Sequence, residues 1–215
     1  MALPSDAQAI LRLAGLRNEN SQLFSIDREI IQSQRALPYA QMWTLANSKR
    51  WFHIQLEDLS IFQFQIRPSP SFHFMECPLE IPTYADFLST QGVDYRERNN
   101  PIYLDQYQEV IDTASLKLHI TPMRYDYDSN AYRAGVHPAA HLHIGLNNQI
   151  RLRLSREMNA RAFLLFVIRH RYPEAWYKLI NSTLRDRLEK YVRSGLLMLS
   201  DRYKKAEDSY ELSLD

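Results

Sequence analysis

Apolar residues recur with two different periods along the chain, and the change between them restricts the fold more than any other feature. Up to Leu154, several short stretches alternate apolar with polar residues, which is the period of a β-strand with two unlike faces. After Ser155, apolar residues recur every three or four positions, as on an amphipathic helix. Short connections between the alternating stretches favour antiparallel pairing over crossover helices. We therefore expect an α+β fold.

The pattern predicts a single α+β domain over residues 1–215, with an N-terminal helix, a curved antiparallel sheet and a C-terminal helical segment. The sheet core extends over about 21–154 and contains an irregular, proline-containing insertion over about 77–107. The C-terminal helices cover about 159–207. The predicted strands are Gln41–Leu45, Trp51–Leu56, Ile61–Ile66, Phe72–Met75, Leu116–Tyr127 and His141–Leu154.

Near the N-terminus, Ser5–Leu16 has a helical apolar stripe, and Ser5 or Asp6 is the predicted N-cap. The stretch that follows is ambiguous. Leu23–Ile26 fits a strand, while Asp27–Arg35 fits a short helix that ends before a proline.

The C-terminal half has clear helix signals. Asn159 is the predicted N-cap of a helix over Ala160–Arg171, and Pro173 occupies the first position of a longer helix that ends near Arg193. We expect a last helix over Leu196–Lys205 and a short one, within the insertion, over Tyr84–Leu88.

Composition restricts the compartment. The chain is 45% hydrophobic, which is ample for a packed core, and its single cysteine, Cys77, excludes an internal disulfide framework. We interpret Cys77 as a core residue rather than a nucleophile. No apolar run approaches the roughly 20 residues of a membrane span, and the N-terminus lacks the pattern of a secretory signal. We therefore expect a cytoplasmic protein without membrane association.

Charge is unevenly distributed, although the formal net charge is only +1. Residues 149–205 contain 14 Lys and Arg against 5 Asp and Glu. This asymmetry permits an anionic partner such as RNA near the C-terminal helices, but basic solvated helix faces are common and are the simpler interpretation.

The residues best suited to chemistry are concentrated in Met123–Gly145, which holds three of the seven histidines. Side chains alternate along a strand, so Arg124, Asp126 and Asp128 would share one face and the intervening tyrosines the other. His141 and His143 would likewise share a face, with Leu142 turned to the core. If the two strands are antiparallel neighbours, the Arg/Asp row and the His/His row lie side by side, and the loop between them delivers His137.

Two mechanisms fit such a surface. In the first, His137, His141 and His143 bind a divalent metal, with Asp126 or Asp128 as a further ligand or as the acceptor that fixes a tautomer. In the second, two histidines act as general base and acid for phosphodiester transfer, and Arg124, Arg133 or both hold the phosphate. We also consider a binding surface without catalysis. The predicted catalytic residues are Arg124, Asp126, His137, His141 and His143, and the predicted binding residues are Tyr125, Asp128 and Arg133.

The other histidines are weaker candidates. His119 points away from its apolar neighbours and could reach the same face. We expect His53, His73 and His170 to be partly exposed sheet or helix residues.

One resemblance concerns metal binding alone. Gly135 followed by His141-x-His143 resembles the first half of a cupin metal motif. The glutamate expected next is replaced by Leu146-Asn147-Asn148, and no second-half histidine motif follows.

A broader resemblance is to an uncharacterised bacterial domain family. The segment Pro122–Asp128 is similar to its Pro-x-Arg-Phe/Tyr-Asp-Tyr-Asp motif, and His137–Gly145 is similar to its His-Pro-x-x-His-Leu-His-Ile-Gly motif. The turn Pro68–Pro70 and the helix that ends in Arg171-Tyr172-Pro173 also look like that family. Membership in this family implies no activity.

A more distant resemblance suggests a function. Arg124-Tyr125-Asp126 followed by His141-x-His143 is similar to TumE-like toxins, which are paired with antitoxins and suspected to act on RNA. The resemblance implies a toxin- or defence-type nuclease that cleaves phosphodiester bonds of RNA or nucleotides, with a divalent metal as a candidate cofactor. The alternative is a non-enzymatic subunit of a bacterial defence complex that binds nucleic acid or a protein such as an antitoxin.

Overall fold

The computed structural model describes residues 7–21, 25, 26, 30, 32, 37–66, 69–146, 150–210, 213 and 214, without the side chains of 18–20. These residues form an eight-stranded sheet whose strands lie side by side in chain order. Neighbours from the first to the seventh strand are antiparallel, and the eighth is parallel to the seventh. The predicted α+β class, with helices before and after a mostly antiparallel sheet, is confirmed.

The strands are β1 (Asn18–Ser21), β2 (Ile54–Leu56), β3 (Ile61–Gln65), β4 (Ser71–Met75), β5 (Met123–Tyr127), β6 (Ala140–Ile144), β7 (Ile150–Leu154) and β8 (Ser213–Leu214). The α-helices among the described residues are α1 (Ala7–Ala14), α2 (Tyr39–Ser48), α3 (Tyr84–Thr90), α4 (Pro101–Asp112), α5 (Ala160–Arg171), α6 (Pro173–Ile180) and α7 (Arg185–Glu189). Shorter helical turns occupy Tyr95–Glu97, Lys190–Ser194, Asp201–Tyr203 and Ala206–Tyr210. Within the described ranges, no helix is both long and apolar enough to cross a lipid bilayer.

One face of the sheet forms the main core with α5 and the N-terminal helix α1. As predicted, α5 begins after Asn159, whose side-chain oxygen accepts a hydrogen bond from the backbone N–H of Ala162 at 2.9 Å. Phe163 of α5 is fully buried and contacts the rings of Phe62 and Phe72 on the sheet. Each such aromatic side chain stabilises the fold by about 1.5–3 kcal/mol through the apolar area it buries.

Helix α2 packs on part of the opposite face and corrects one prediction. The stretch Gln41–Leu45 was predicted to be a strand, but it lies inside α2. The buried residues Trp43 and Ala46 are three positions apart, which is a helical spacing that a five-residue window cannot distinguish from a strand. They form a second cluster with Cys77, and burial raises the pKa of that thiol to about 11. The interpretation of Cys77 as a core residue is confirmed.

The proline-containing insertion is more regular than predicted. The helix expected near Tyr84–Leu88 is present as α3, and a second helix, α4, begins at Pro101. The side chain of Asn100 caps α4 by accepting from the N–H of Ile102. Phe87 of α3 and Tyr107 of α4 pack together in a small separate cluster.

The C-terminal region is less helical than predicted. Helix α6 ends at Ile180 rather than near Arg193, because Ser182 starts a turn in which its hydroxyl accepts from the N–H of Leu184. The predicted helix Leu196–Lys205 is wrong. Its first residues bond to the chain that follows β7, with Leu199 N–H donating to the carbonyl of Ser155.

Three predicted strands are shorter than expected by more than one residue. Trp51–Leu56 is a strand only from Ile54, Leu116–Tyr127 is a strand only from Met123, and His141–Leu154 consists of the two strands β6 and β7. The predicted N-caps Ser5 and Asp6, and most of Leu23–Ile26 and Asp27–Arg35, lie outside the described residues.

Candidate active site

The second face of the sheet carries two rows of polar side chains that the strand register aligns across β3 to β7. The Asp126 row consists of Gln65, Ser71, Asp126, His141 and Arg153. The Arg124 row consists of Gln63, His73, Arg124, His143 and Arg151. The prediction that Arg124 and Asp126 share a face with His141 and His143 is confirmed, as is the opposite orientation of Leu142.

A cavity of about 820 Å³ lies over these two rows. Members of both rows line it together with Tyr39 and Met42 of α2 and with His137 of the β5–β6 loop. His141 and His143 are each only 2% exposed, although they face the cavity. The site is therefore a concave surface on the sheet with buried histidines at its base, which is a common setting for ligand binding.

Asp126 is the best-connected side chain of the site. Its Oδ1 accepts a hydrogen bond from Ser71 Oγ at 2.7 Å, and its Oδ2 accepts one from Arg124 Nε at 2.7 Å. Burial raises the pKa of Asp126, but Arg124, His73, the Ser71 hydrogen bond and His141 together bring that pKa below its ordinary value. Asp126 is therefore a fixed carboxylate at neutral pH.

Ser71 and His73 do not form a catalytic triad with Asp126. Because Ser71 Oγ donates to the carboxylate, the His73 Nε2 atom at 3.0 Å from that oxygen must be the donor of its own contact. His73 thus donates to Ser71, and Ser71 donates to Asp126. A histidine that donates to the serine oxygen cannot accept its proton, so His73 cannot deprotonate Ser71 in this arrangement.

The two buried histidines converge on one oxygen of Asp126. Nε2 of His143 lies 3.6 Å from Oδ2, and Nε2 of His141 lies 3.9 Å from it. Burial lowers the pKa of His141, with smaller raising contributions from Asp126 and the Pro138 carbonyl. Burial, Arg124 and His141 lower the pKa of His143 to about 4. Both imidazoles are therefore neutral at neutral pH and offer lone pairs to a proton or a metal.

His137 borders the cavity without joining this convergence. Its ring meets His141 edge to face, with centroids 4.9 Å apart, and its buried Nδ1 has no hydrogen-bond partner among the described residues. The loop that carries it is anchored by Asp208, which accepts from the Tyr132 hydroxyl at 2.7 Å and from the Gly135 N–H at 3.0 Å. Gly135 has a φ of 65°, a conformation that favours glycine.

Three donor atoms of the site could hold a metal ion. One atom each from Asp126, His141 and His143 lies within 4.8 Å of the other two. His137, which the sequence suggested as a ligand, is outside this group. The same atoms could instead accept a proton from a water molecule or a hydroxyl group.

A family model for an uncharacterised conserved protein family, DUF2290, matches residues 15–203 of the chain. The chain belongs to the DUF2290 family. No curated protein and no solved structure matches it significantly. Membership in DUF2290 therefore identifies relatives without assigning an activity, and the chemistry of this DUF2290 protein has to be inferred from the site itself.

The structure does not bring every predicted binding residue to the cavity of this DUF2290 protein. Tyr125 is fully buried in the core on the other face, where its hydroxyl accepts a hydrogen bond from the backbone N–H of Met158. This position does not support contact with a ligand. Arg133 is an exposed loop residue outside the cavity lining. Asp128 does line the cavity, but its carboxylate also caps a turn by accepting from the N–H groups of Asn130 and Ala131.

Three residues of the site were missed at the level of sequence. Ser71 and His73 come from β4, and Arg151 comes from β7, where it is the cross-strand neighbour of His143. The sequence did contain a signal for these three residues: polar residues occupy every second position of β4 and of β7, which places them on one face of each strand. Nothing in that alternation indicated which strands would be neighbours of β5 and β6.

Proposed function

We propose that this DUF2290 protein cleaves phosphodiester bonds of RNA or of a nucleotide in the cavity over the two polar rows. The observation that carries the proposal is the Arg124 row, in which two guanidinium groups flank the buried imidazole of His143. The Asp126 row lies directly beside it and supplies a carboxylate and a second neutral imidazole. Candidate phosphate-binding and proton-accepting groups thus lie side by side in one cavity, with the imidazoles buried and Arg151 exposed.

The two arginines are suited to hold a phosphate. Arg124 donates to Asp126 through its Nε atom, which fixes the orientation of the guanidinium group. Its terminal N–H groups are not used in this hydrogen bond and could donate to a phosphate. Arg151 lines the cavity and has no carboxylate partner among the described residues. Planar guanidinium groups bind phosphate oxygens through paired hydrogen bonds and stabilise charge that develops there during cleavage.

Neutral imidazoles supply the proton acceptor that cleavage also requires. In the cleavage step, the oxygen of a water molecule or a ribose 2′-hydroxyl forms a new bond to phosphorus while the bond to the leaving oxygen breaks. The proton of the attacking group passes to the site formed by Asp126, His141 and His143, and the leaving oxygen takes a proton from solvent or from His137. The cavity volume of about 820 Å³ lies in the range of sites for ligands of nucleotide size.

The choice of RNA and the toxin- or defence-type setting are parts of the proposal that rest on a resemblance. Arg124, Tyr125 and Asp126, followed by His141 and His143, resemble the corresponding residues of TumE-like toxins. The basic balance of residues 149–205 is consistent with an anionic polymer as substrate.

The test is a cleavage assay on end-labelled single-stranded RNA, with DNA of the same sequence and a dinucleotide as further substrates. We expect the His141→Ala/His143→Ala double variant to lose at least about a hundredfold in rate. Arg151→Ala should raise KM about tenfold by removing a phosphate contact. Arg133→Ala is the matched control, because it removes an arginine outside the cavity, and it should change KM less than about twofold. Full cleavage by a folded double variant would contradict the proposal.

A non-enzymatic binding subunit is the second candidate, and one observation favours it. A cavity of about 480 Å³ beside the β6–β7 connection is lined by the exposed apolar side chains of Leu116, Leu118, Leu146 and Ile150. Leu118 is 93% exposed, and exposed apolar groups clustered in this way are typical of protein-binding surfaces.

The two candidates respond differently to the same variants. For a binding subunit, the histidine double variant would leave the affinity for RNA or a protein partner such as an antitoxin unchanged. Binding of RNA through the basic residues would also weaken steeply with salt. Loss of partner binding in Leu118→Asp, with no RNA cleavage by wild type, would support the second candidate.

A further inference from the structure

We propose that Asp126, His141 and His143 form a binding site for one divalent transition-metal ion, held between their facing side chains. The site is argued from geometry alone, whereas its part in cleavage rests on the proposed function. The three donor atoms lie within 4.8 Å of one another, and they belong to adjacent strands whose register holds them together.

The hydrogen bond behind His141 determines which ring nitrogen is available. Nδ1 of His141 lies 2.9 Å from the carbonyl oxygen of Pro138, which can only accept, so Nδ1 carries the proton of the neutral ring. The lone pair is therefore on Nε2, the atom on the side of Asp126. A backbone carbonyl behind the far N–H of an imidazole is the arrangement that orients metal-binding histidines.

The lone pair of His141 and the carboxylate of Asp126 are poorly matched without a cation. Nε2 of the buried His141 and Oδ2 of Asp126 are both acceptors and lie 3.9 Å apart; the Asp126 side chain is 22% exposed, and Arg124 donates to the same Oδ2. Acceptors that face each other at low dielectric repel unless a positive charge lies between them. A metal ion bound to both atoms would remove that repulsion.

His143 provides the third donor. Its Nε2 lies 3.6 Å from Oδ2 of Asp126, too far for a good hydrogen bond, and its buried Nδ1 has no partner among the described residues. The side chain is 3% exposed, so solvent does not replace the missing partners. A metal ion on Nε2 would give that nitrogen a ligand bond in place of the long contact to Asp126, while Nδ1 would carry the ring proton.

The distances fit a metal after a small contraction. Bonds of about 2.0–2.2 Å to nitrogen and oxygen place neighbouring ligand atoms roughly 3.0–3.6 Å apart. The distance of 3.6 Å lies at the upper end of this range and that of 3.9 Å exceeds it by about 0.3 Å, while all three donor atoms lie within 4.8 Å of one another. Ser71 and Arg124 hold the two carboxylate oxygens of Asp126, so the ligand that must stay fixed is anchored from both sides.

The donor set selects the class of metal. Two imidazoles favour zinc, iron, cobalt or nickel over magnesium and calcium, which prefer oxygen ligands. Three protein ligands leave coordination positions open towards the cavity for water and a phosphate oxygen. A cation here would promote ionisation of water and polarise the phosphate, which is the chemistry that phosphodiester hydrolysis requires.

The experiment is a metal titration of untagged protein from which metal has been removed by chelation. Co²⁺ binding is followed by visible d–d absorption, and Zn²⁺ binding by calorimetry. We expect one ion per chain, with affinity reduced at least about a hundredfold in both His143→Ala and Asp126→Asn. The Asp126→Asn variant keeps the side-chain shape and serves if the alanine variant does not fold, which circular dichroism reports.

His119→Ala is the matched control, because it removes an exposed histidine outside the cavity and should leave the affinity unchanged. Wild-type binding no tighter than that of folded Asp126→Asn would overturn the metal site. Cleavage of RNA by metal-free protein in excess chelator would overturn the part of the ion in cleavage, while leaving the proposed function intact. Tight binding of one ion without cleavage of RNA, DNA or dinucleotide would support the site and reject the proposed function.

Discussion

The two faces of the sheet have opposite chemistry, although each of them contains buried side chains. On the α5 face, Phe62 and Tyr125 are fully buried among apolar neighbours. On the cavity face, Gln63, His141 and His143 are at most 2% exposed. Burial of apolar area stabilises the folded state, whereas burial of polar groups costs free energy unless each group is paired. The apolar face therefore stabilises the fold, and the polar face carries the groups on which the proposed ligand site depends.

Several buried side-chain atoms without a hydrogen-bond partner lie at the cavity face. Among the described residues they include Gln63 Oε1, His137 Nδ1 and His143 Nδ1, and further such atoms, the Nε atoms of Arg156 and Arg171, lie outside the cavity lining. Buried polar atoms are almost always paired in native proteins, so unpaired ones in a cavity indicate a binding partner. Four substitutions would sharpen or break this comparison.

The largest effect on stability should come from the α5 face. Phe163→Ala removes a fully buried ring that contacts Phe62 and Phe72, and it should lower the free energy of unfolding by about 3–5 kcal/mol. Urea denaturation followed by circular dichroism measures this loss. Tyr177→Ala, at a side chain that is 68% exposed, should change stability by less than about 0.5 kcal/mol. Equal effects of the two changes would show that α5 does not anchor the core.

On the cavity face, stability and activity should separate. His143→Leu replaces an unsatisfied buried imidazole by an apolar side chain of similar size, so the free energy of unfolding should be unchanged or rise by up to about 1 kcal/mol. The same variant should lose at least about a hundredfold in cleavage rate. Denaturation and cleavage assays on one preparation check both. Destabilisation by more than about 2 kcal/mol would mean that His143 is structural.

Tyr125 tests a polar atom on the apolar face. Tyr125→Phe removes the hydroxyl that accepts a hydrogen bond from the backbone N–H of Met158. The loss of this acceptor should destabilise the protein by about 1–3 kcal/mol. Affinity for RNA or metal should be unaltered, because the ring lies on the side of the sheet away from the cavity. Urea denaturation and binding assays on wild type and Tyr125→Phe measure the two effects separately. A change in affinity with unchanged stability would restore the binding role that the sequence suggested.

The smallest effect is expected at the anchor of the His137 loop, and it depends on pH. Burial raises the pKa of Asp208, but hydrogen bonds from Gly135, Tyr132 and Lys205 and the charge of Arg153 bring it below the ordinary value of 3.8. Because the folded-state pKa is lowered, Asp208 contributes stability above pH 3.8, and the contribution is lost as pH falls through the folded-state pKa.

Asp208→Asn should therefore destabilise the protein at pH 7 by about 1–2 kcal/mol. The difference from wild type should narrow as the pH falls below about 4. Unfolding measured from pH 7 to pH 2.5 on both proteins gives the difference directly and subtracts the titration of every other carboxyl group. A difference that is independent of pH would show that the charge of Asp208 does not stabilise the loop.

Local pattern was sufficient for the hairpin at the centre of the site. Alternation placed Arg124 and Asp126 on the face opposite to Tyr125, and β6, the next strand along the chain, is the antiparallel neighbour of β5. Local pattern failed at Gln41–Leu45, because five residues fit either period and only packing of Trp43 against the second cluster decides between them. It also failed after Gly195, where backbone bonds to the chain after β7 replace a helix.

The sequence by itself determined which side chains share a face of each strand, since the direction of side chains alternates along any extended chain. It thereby identified Arg124, Asp126, His141 and His143 as one surface. Only the tertiary structure decided that Ser71 and His73 lie on one side of that surface and Arg151 on the other. The physical reason is that strand neighbours and register depend on long-range hydrogen bonds and on packing of the opposite face against α5, neither of which is encoded in a local pattern.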